Sequence, residues 1–220
     1  MKIIERDSNR RAQRAFTLRE LIVLMTLGLI MAFLFFTAIP RHGNDAVRSN
    51  CGNNLKQVGL AFRIWAGDNN GQYPMQLFTN AAGGPKFADD RNAFRYFQWL
   101  SNELSTPKIL ICPENAKRRP ATNFTWDFDN SRVSYFIDMN AAETNDKSIL
   151  TGDTHLTNNT PKKNGMLSLA INQPCWWTKE RHKGAGNLVA ADGSVAQITT
   201  PHLRRTFVDT GHATNWLLFP

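Results

Sequence analysis

A carboxylate stands at the mouth of a long apolar run: Arg14-Ala15-Phe16-Thr17-Leu18-Arg19-Glu20-Leu21 leads into nineteen uncharged residues, Leu21 to Ile39. An acid well inside a membrane helix costs about 2.5–3.5 kcal/mol on insertion scales, less near an interface, so it is usually retained for a partner. No second acid or histidine flanks Glu20 closely, so ion pairing rather than catalysis is the chemistry expected of it. A second group is His182, nine residues, then Asp192-Gly193. Pairing His182 with Asp192 and a nucleophile such as Cys112 or Cys175 would make a hydrolytic centre, but no nucleophile elbow surrounds either cysteine, and no enzyme activity is expected. With Gly184 and Gly186 nearby, His182 is expected instead to hydrogen-bond a loop at a sheet edge.

The three cysteines, Cys51, Cys112 and Cys175, are too scattered for a zinc spacing. Their odd number leaves one outside any intramolecular disulfide, and the sequence leaves open which two pair; Cys51 also reads as a small buried hydrophobe. Asp127, Asp129 and Asn130, in Trp126-Asp127-Phe128-Asp129-Asn130, put oxygen ligands at near-alternate positions that would suit calcium. The stretch lacks the glycine and distal glutamate of an EF-hand, and an Asx turn is the competing reading. Apart from that possible calcium, no cofactor is expected. Gly152-Asp153-Thr154-His155 reads as a further acidic turn without an assigned purpose.

The elements that must carry these groups follow from periodicity. At 1.5 Å per residue the uncharged run spans roughly 29 Å, against a hydrocarbon core about 30 Å thick, so as a helix it can cross a bilayer. A secretory signal has a shorter apolar stretch and then a small-x-small site, whereas Ile39-Pro40-Arg41-His42 follows here. Val47, Cys51, Leu55, Val58, Phe62 and Trp65 then recur at spacings of three and four, one apolar face of an amphipathic helix. Asp68-Asn69-Asn70-Gly71 supplies its stop, and Pro74 opposes resumption. The reading is one long helix from Phe16 to about Asn69, interrupted around Pro40 to Asn44.

Beyond it, Gly71 to Pro220 suits one globular domain. Ala93 to Asn102 reads as a short helix; Ile109 to Ile111, Val133 to Ile137 and Ser148 to Leu150 read as strands; Gly83-Gly84-Pro85 reads as a loop. Leu188 to Ala191 and Ser194 to Ile198 flank Asp192-Gly193 as a hairpin whose two turn residues both tolerate positive φ.

The chain carries 26 Lys and Arg against 18 Asp and Glu, a formal +8. Residues 1–15 hold five of the basic residues, Lys2, Arg6, Arg10, Arg11 and Arg14, against Glu5 and Asp7, which keeps the amino end cytoplasmic and exports the rest. The remaining +5 forms no basic stripe interleaved with aromatics, so no specific nucleic-acid partner is indicated.

Ala15-Phe16-Thr17-Leu18-Arg19-Glu20-Leu21 resembles the class III signal of type IV pilins and type II secretion pseudopilins: a short basic leader, a small residue, Phe-Thr-Leu-x-Glu, then an apolar helix. Cys51 to Leu60, continuing through Trp65 to Pro74, together with His182-x9-Asp192-Gly193, resembles pilin-like families of planctomycete- and verrucomicrobia-type bacteria. The resemblance implies an α+β pilin-like fold, a long N-terminal helix packed against a small antiparallel sheet. It implies a leader 1–15, a membrane or filament-core helix 16–40, an amphipathic half 41–70 and a β-rich head 71–220. A prepilin peptidase that recognises Ala15, Phe16, Thr17, Leu18 and Glu20 would cut between Ala15 and Phe16 and methylate the new amine. Glu20 would then neutralise that amine, in its own or a neighbouring subunit, with identical or related subunits as partners.

The protein would sit in the inner membrane with its head in the periplasm, and afterwards in a pilus or secretion pseudopilus. Two departures are Ala15, where glycine is commoner, and Pro40, three residues later than the helix proline usual in that family. The rival reading is a membrane-tethered or pilus-tip module whose exposed Trp residues bind a glycan or surface ligand.

Overall fold

The computed structural model describes residues 17–38, 43–77 and 92–220. Ala15, Phe16, Pro40 and the Gly83-Gly84-Pro85 loop lie outside the described residues. The chain divides into two units, Met1–His42 and Gly43–Pro220.

Among its described residues the first unit holds one helix, α1 (Leu18–Ala38). Every side chain from Thr17 to Phe35 is exposed, including Leu21, Ile22, Leu29, Phe33 and Phe35. A helix exposing apolar side chains on every face beyond Glu20 suits a non-aqueous surrounding. Its lone mid-helix hydroxyl is satisfied locally, Thr26 Oγ1 donating to Val23 O at 2.9 Å. This is a single N-terminal apolar helix long enough to cross a membrane, as a single-pass anchor or a signal sequence does.

The second unit is an α+β layout. Its helices are α2 (Gly43–Asp68), α3 (Pro74–Leu77), α4 (Ala93–Trp99), α5 (Ser101–Leu104) and α6 (Thr200–Asp209). Its strands are β1 (Tyr135–Asp138), β2 (Ile149–Asp153), β3 (Leu156–Thr157), β4 (Met166–Ala170), β5 (Trp176–Trp177), β6 (Ala185–Ala190), β7 (Val195–Thr199) and β8 (Thr214–Leu218). Six of these form an antiparallel sheet in the order β4-β8-β1-β2-β6-β7, and β3 pairs with β5.

The amphipathic pattern finds its partner here: Cys51, Leu55, Val58 and Phe62 have no exposed surface and share a core with Tyr135, Ile137, Leu150, Val189 and Leu218 of the sheet. Successive strand residues face opposite ways, so Phe136, Leu188 and Leu217 belong to a second core on the other face, closed by Leu203 and Phe207 of α6. Because both faces are covered, β1 is buried at every position instead of alternating. Gly59 brings α2 close to the sheet, since a Cβ there would lie 2.6 Å from Val189 Cγ1.

Several expectations are corrected. The first helix starts at Leu18, and Gly43 and Asn44 are already helical in α2 rather than part of an interruption. Ile109 to Ile111 is not a strand: Pro107–Leu110 is a 3-10 turn, favoured by Pro107 at its start and by Thr106 Oγ1 accepting from Lys108 N. The 93–102 helix breaks at Leu100 into α4 and α5. Gly152 and Asp153 are strand residues of β2, and only Thr154 and His155 turn. The α2 stop is as expected, with Asn70 at φ +55, Gly71 at φ +71, and Gly71 N donating back to Ala66 O.

The β6–β7 hairpin forms around Asp192-Gly193, but by a different turn. Gly193 alone has positive φ (+82°), Gly193 N donates to Ala190 O, and Val189 pairs with Val195. Ala190 N also donates to Ser194 O, so the loop is three residues, 191–193, a turn ending in a left-handed glycine. Asp192 serves it by accepting from Ser194 N at 2.8 Å.

Candidate functional site

In the first unit, Thr17 caps α1. Its backbone N and its Oγ1 both donate to Glu20 Oε2 at 2.9 Å, while Glu20 N donates back to Thr17 Oγ1 at 3.4 Å. Thr-x-x-Glu closed this way is a capping box, satisfying two of the N–H groups that a helix start leaves bare. The spacing Thr17-Leu18-Arg19-Glu20 carries that signal, and the sequence reading passed over it in favour of an ion pair. Glu20 thus has a local structural role at the helix mouth in the single chain.

In the second unit, side chains remote in sequence meet in a buried cluster. Cys51 of α2 and Cys112, which follows the 3-10 turn, form a disulfide with Cα atoms 5.0 Å apart, and Cys175 is free and buried. His182 lies against it, Nε2 3.4 Å from Cys112 Sγ. The same Nε2 is 3.5 Å from Asp153 Oδ2, and Glu114 Oε2 contacts Nδ1 on the ring's other side. The His182 and Asp153 side chains have no exposed surface, while that of Glu114 is one-third exposed.

The surroundings are polar and tightly built. Asn187 donates to Asp153 Oδ2 from its backbone N (2.8 Å) and from Nδ2 (3.0 Å), whereas Asp153 Oδ1 has no hydrogen-bond donor among the described residues. Arg181 is buried and donates from Nη2 to Thr154 Oγ1 at 2.6 Å. Burial pushes the Asp153 carboxyl upward, opposed chiefly by His182 and the Asn187 backbone donor. His155 stacks near Trp177, donates from Nε2 to Ala185 O at 2.7 Å, and is driven down to about 3 by burial, so it stays neutral.

His182 and Lys183 both have φ +52 and Gly184 has φ +80, a left-handed run. For a non-glycine residue this conformation costs on the order of 1 kcal/mol or more and is found where the surroundings hold a side chain in place.

His182 is therefore not at a sheet edge, and its carboxylate neighbours are Asp153 and Glu114 rather than Asp192. Asp192 lies at the hairpin tip, where its carbonyl accepts from Arg63 Nη1 of α2 at 2.9 Å. Sequence reading missed Glu114 and Arg181 and noted Asp153 only in an acidic turn of unassigned purpose; the available hints were the adjacency of Glu114 to Cys112-Pro113 and of Arg181 to His182.

The 127–130 oxygens serve their own loops. Asp129 accepts from Ser131 N two residues on, an Asx turn; Asp127 accepts from Thr122 and Asn123 earlier in its loop, and Asn130 Oδ1 accepts from Phe94 N of α4. Of the tryptophans, Trp126 is 79 % exposed and Trp216 46 %, whereas Trp177 is core. No protein-family model, curated protein or solved structure matches this chain.

Proposed function

We propose that the protein is a prepilin-like structural subunit: cut between Ala15 and Phe16, methylated on the new amine, and polymerised through its N-terminal helix into a pilus or secretion pseudopilus. The observation that carries this reading is a wholly exposed apolar helix with one carboxylate in its first turn. Such a surface is stable in lipid or among copies of itself, and a filament needs the same two surfaces to meet repeatedly without closing. An antiparallel sheet packed on the amphipathic α2 supports the reading, as does the leader's charge.

The capping box refines the role of Glu20. Within one chain its carboxylate is held by Thr17; cleavage would create an α-amine one residue before Thr17 in the sequence, a cation for the same carboxylate to pair with in its own or a neighbouring subunit. An amine and a carboxylate about 4 Å apart attract by about 4 kcal/mol at an effective dielectric near 20, before desolvation is subtracted.

Intact mass and amino-terminal sequencing of protein from its native membrane test the processing step. A chain beginning at Phe16 with one added methyl group is expected; retention of Met1 to Ala15 overturns the proposal and leaves a tethered protein. Glu20→Val is expected to leave membrane insertion intact and abolish incorporation into filaments, as followed by shearing and sedimentation.

A further inference from the structure

We infer that the cleft between β5, the 182–184 turn and the start of α6 binds an acidic saccharide. Trp176, Trp177, Lys179, Lys183, Gly184 and Thr200 line it. Its volume, about 560 Å³, falls within the roughly 300–1,000 Å³ of small-ligand sites. One hydroxyl fixes the frame: Thr200 Oγ1 accepts from Trp177 N and donates to Gly184 O, each at 3.2 Å, tying the three segments together.

With that hydroxyl engaged at both ends, the side-chain polar groups left for a ligand are all donors. Lys179 and Lys183 are exposed, and neither is in an ion pair among the described residues. The neighbouring Glu180 carboxylate faces Lys117 instead, at 4.0 Å. Trp177 is 3 % exposed and its Nε1 has no acceptor among the described residues, which leaves a buried N–H to be satisfied. Lys183 is held at φ +52, a conformation glycine adopts freely and lysine only at a cost, so the turn keeps an ammonium group where a second glycine would be less strained. At Gly184 a Cβ would meet nothing within 4 Å, so the backbone there is open to an incoming group.

These features select a ligand with a flat C–H face, acceptor oxygens and negative charge. The half-buried Trp176 offers an indole whose electron-rich face attracts the C–H groups of a pyranose ring. A ring or hydroxyl oxygen accepts from Trp177 Nε1, and a carboxylate or sulfate meets the two ammonium groups. A nucleobase also stacks on indole, but a nucleic-acid strand is held by a run of basic groups along its phosphates, and two lysines supply no such run. An exported head, as proposed above, meets saccharides in or beyond the cell envelope. The binding itself needs neither cleavage nor polymerisation, so the two proposals fail separately.

The test uses the full chain in a detergent without a sugar headgroup. It is titrated by calorimetry and indole fluorescence with tetragalacturonate, a sulfated carrageenan tetrasaccharide, neutral cellotetraose and a short oligothymidylate. At least one acidic tetrasaccharide should bind tenfold or more tightly than cellotetraose, and the better of the two tells carboxylate from sulfate. Raising NaCl from about 0.05 M to about 0.5 M should weaken that binding. Lys183→Gly, which relieves the left-handed strain, should raise the urea midpoint and yet weaken binding at least threefold; Lys179→Gln should weaken it similarly at unchanged stability. Trp176→Ala should weaken it at least tenfold. A smaller preference over cellotetraose, no binding of either acidic sugar, tighter binding of the oligothymidylate, or unchanged affinity in Lys183→Gly overturns the proposal. The unaltered chain and the two lysine variants decide the matter even if Trp176→Ala fails to fold.

Discussion

Asp138, at the end of β1, has no exposed surface, and burial raises its carboxyl to about 8 from an ordinary 3.8, against the opposing backbone donor of Asn140. Between those values the folded chain keeps a proton that the unfolded chain has released, so stability falls as pH rises through the window, by up to about 1.4 kcal/mol per pH unit from this group. Asp138→Asn should remove that slope and be more stable than the parent at pH 8, measured as the urea midpoint at pH 5 and pH 8. His155 acts in the opposite sense: held neutral in the fold, it withdraws stability as pH falls below about 6.5 toward about 3. Glu20 can be divided at the same scale. Thr17→Ala removes half of the capping box and keeps the charge, Glu20→Gln keeps a capping side chain and removes the charge, so assembly lost only in Glu20→Gln would assign the role to charge.

Among the elements, α2 is the one on which the second unit depends. It meets the sheet through Leu55, Val58 and Phe62, is tied by the disulfide, and reaches the β6–β7 hairpin through Arg63. The disulfide spans a separation of 61 residues, and in the chain-entropy view its loss costs up to about 4 kcal/mol. Cys51→Ser should lower stability by about 2–4 kcal/mol in denaturant titration. Gly59→Val should cost about 1–3 kcal/mol, because the added side chain meets Val189 where helix and strand are closest. The α2 face was legible because Val47, Cys51, Leu55, Val58 and Phe62 repeat every three or four residues, which is local information. Helix α6 was legible in principle, from Pro201 at its first turn and the i, i+4 pair Leu203 and Phe207, but went unread.

For the molecule as a whole, two units divide the solvents between them: one exposes apolar side chains along Leu18 to Phe35, the other hides its apolar residues in two cores. A chain beginning at Gly43 should therefore stay in solution without detergent, while the full chain partitions into membranes and resists alkaline carbonate extraction. Equal partitioning of the two would show that α1 is not the anchor.

The apolar helix, the amphipathic face and the Asp192-Gly193 hairpin were determined by sequence alone, because each is encoded in spacings of a few residues. Only the tertiary structure decided that Cys51 pairs with Cys112, that Cys175 stays free, and that Asp153 rather than Asp192 stands beside His182. Those choices depend on the pairing of β2 with β6 and on the seating of α2, which bring together groups 29 (Asp153 and His182) to 70 (Cys112 and His182) positions apart that no local pattern links. The same burial that gathers them strips away water, and that is what turns ordinary polar residues into a site.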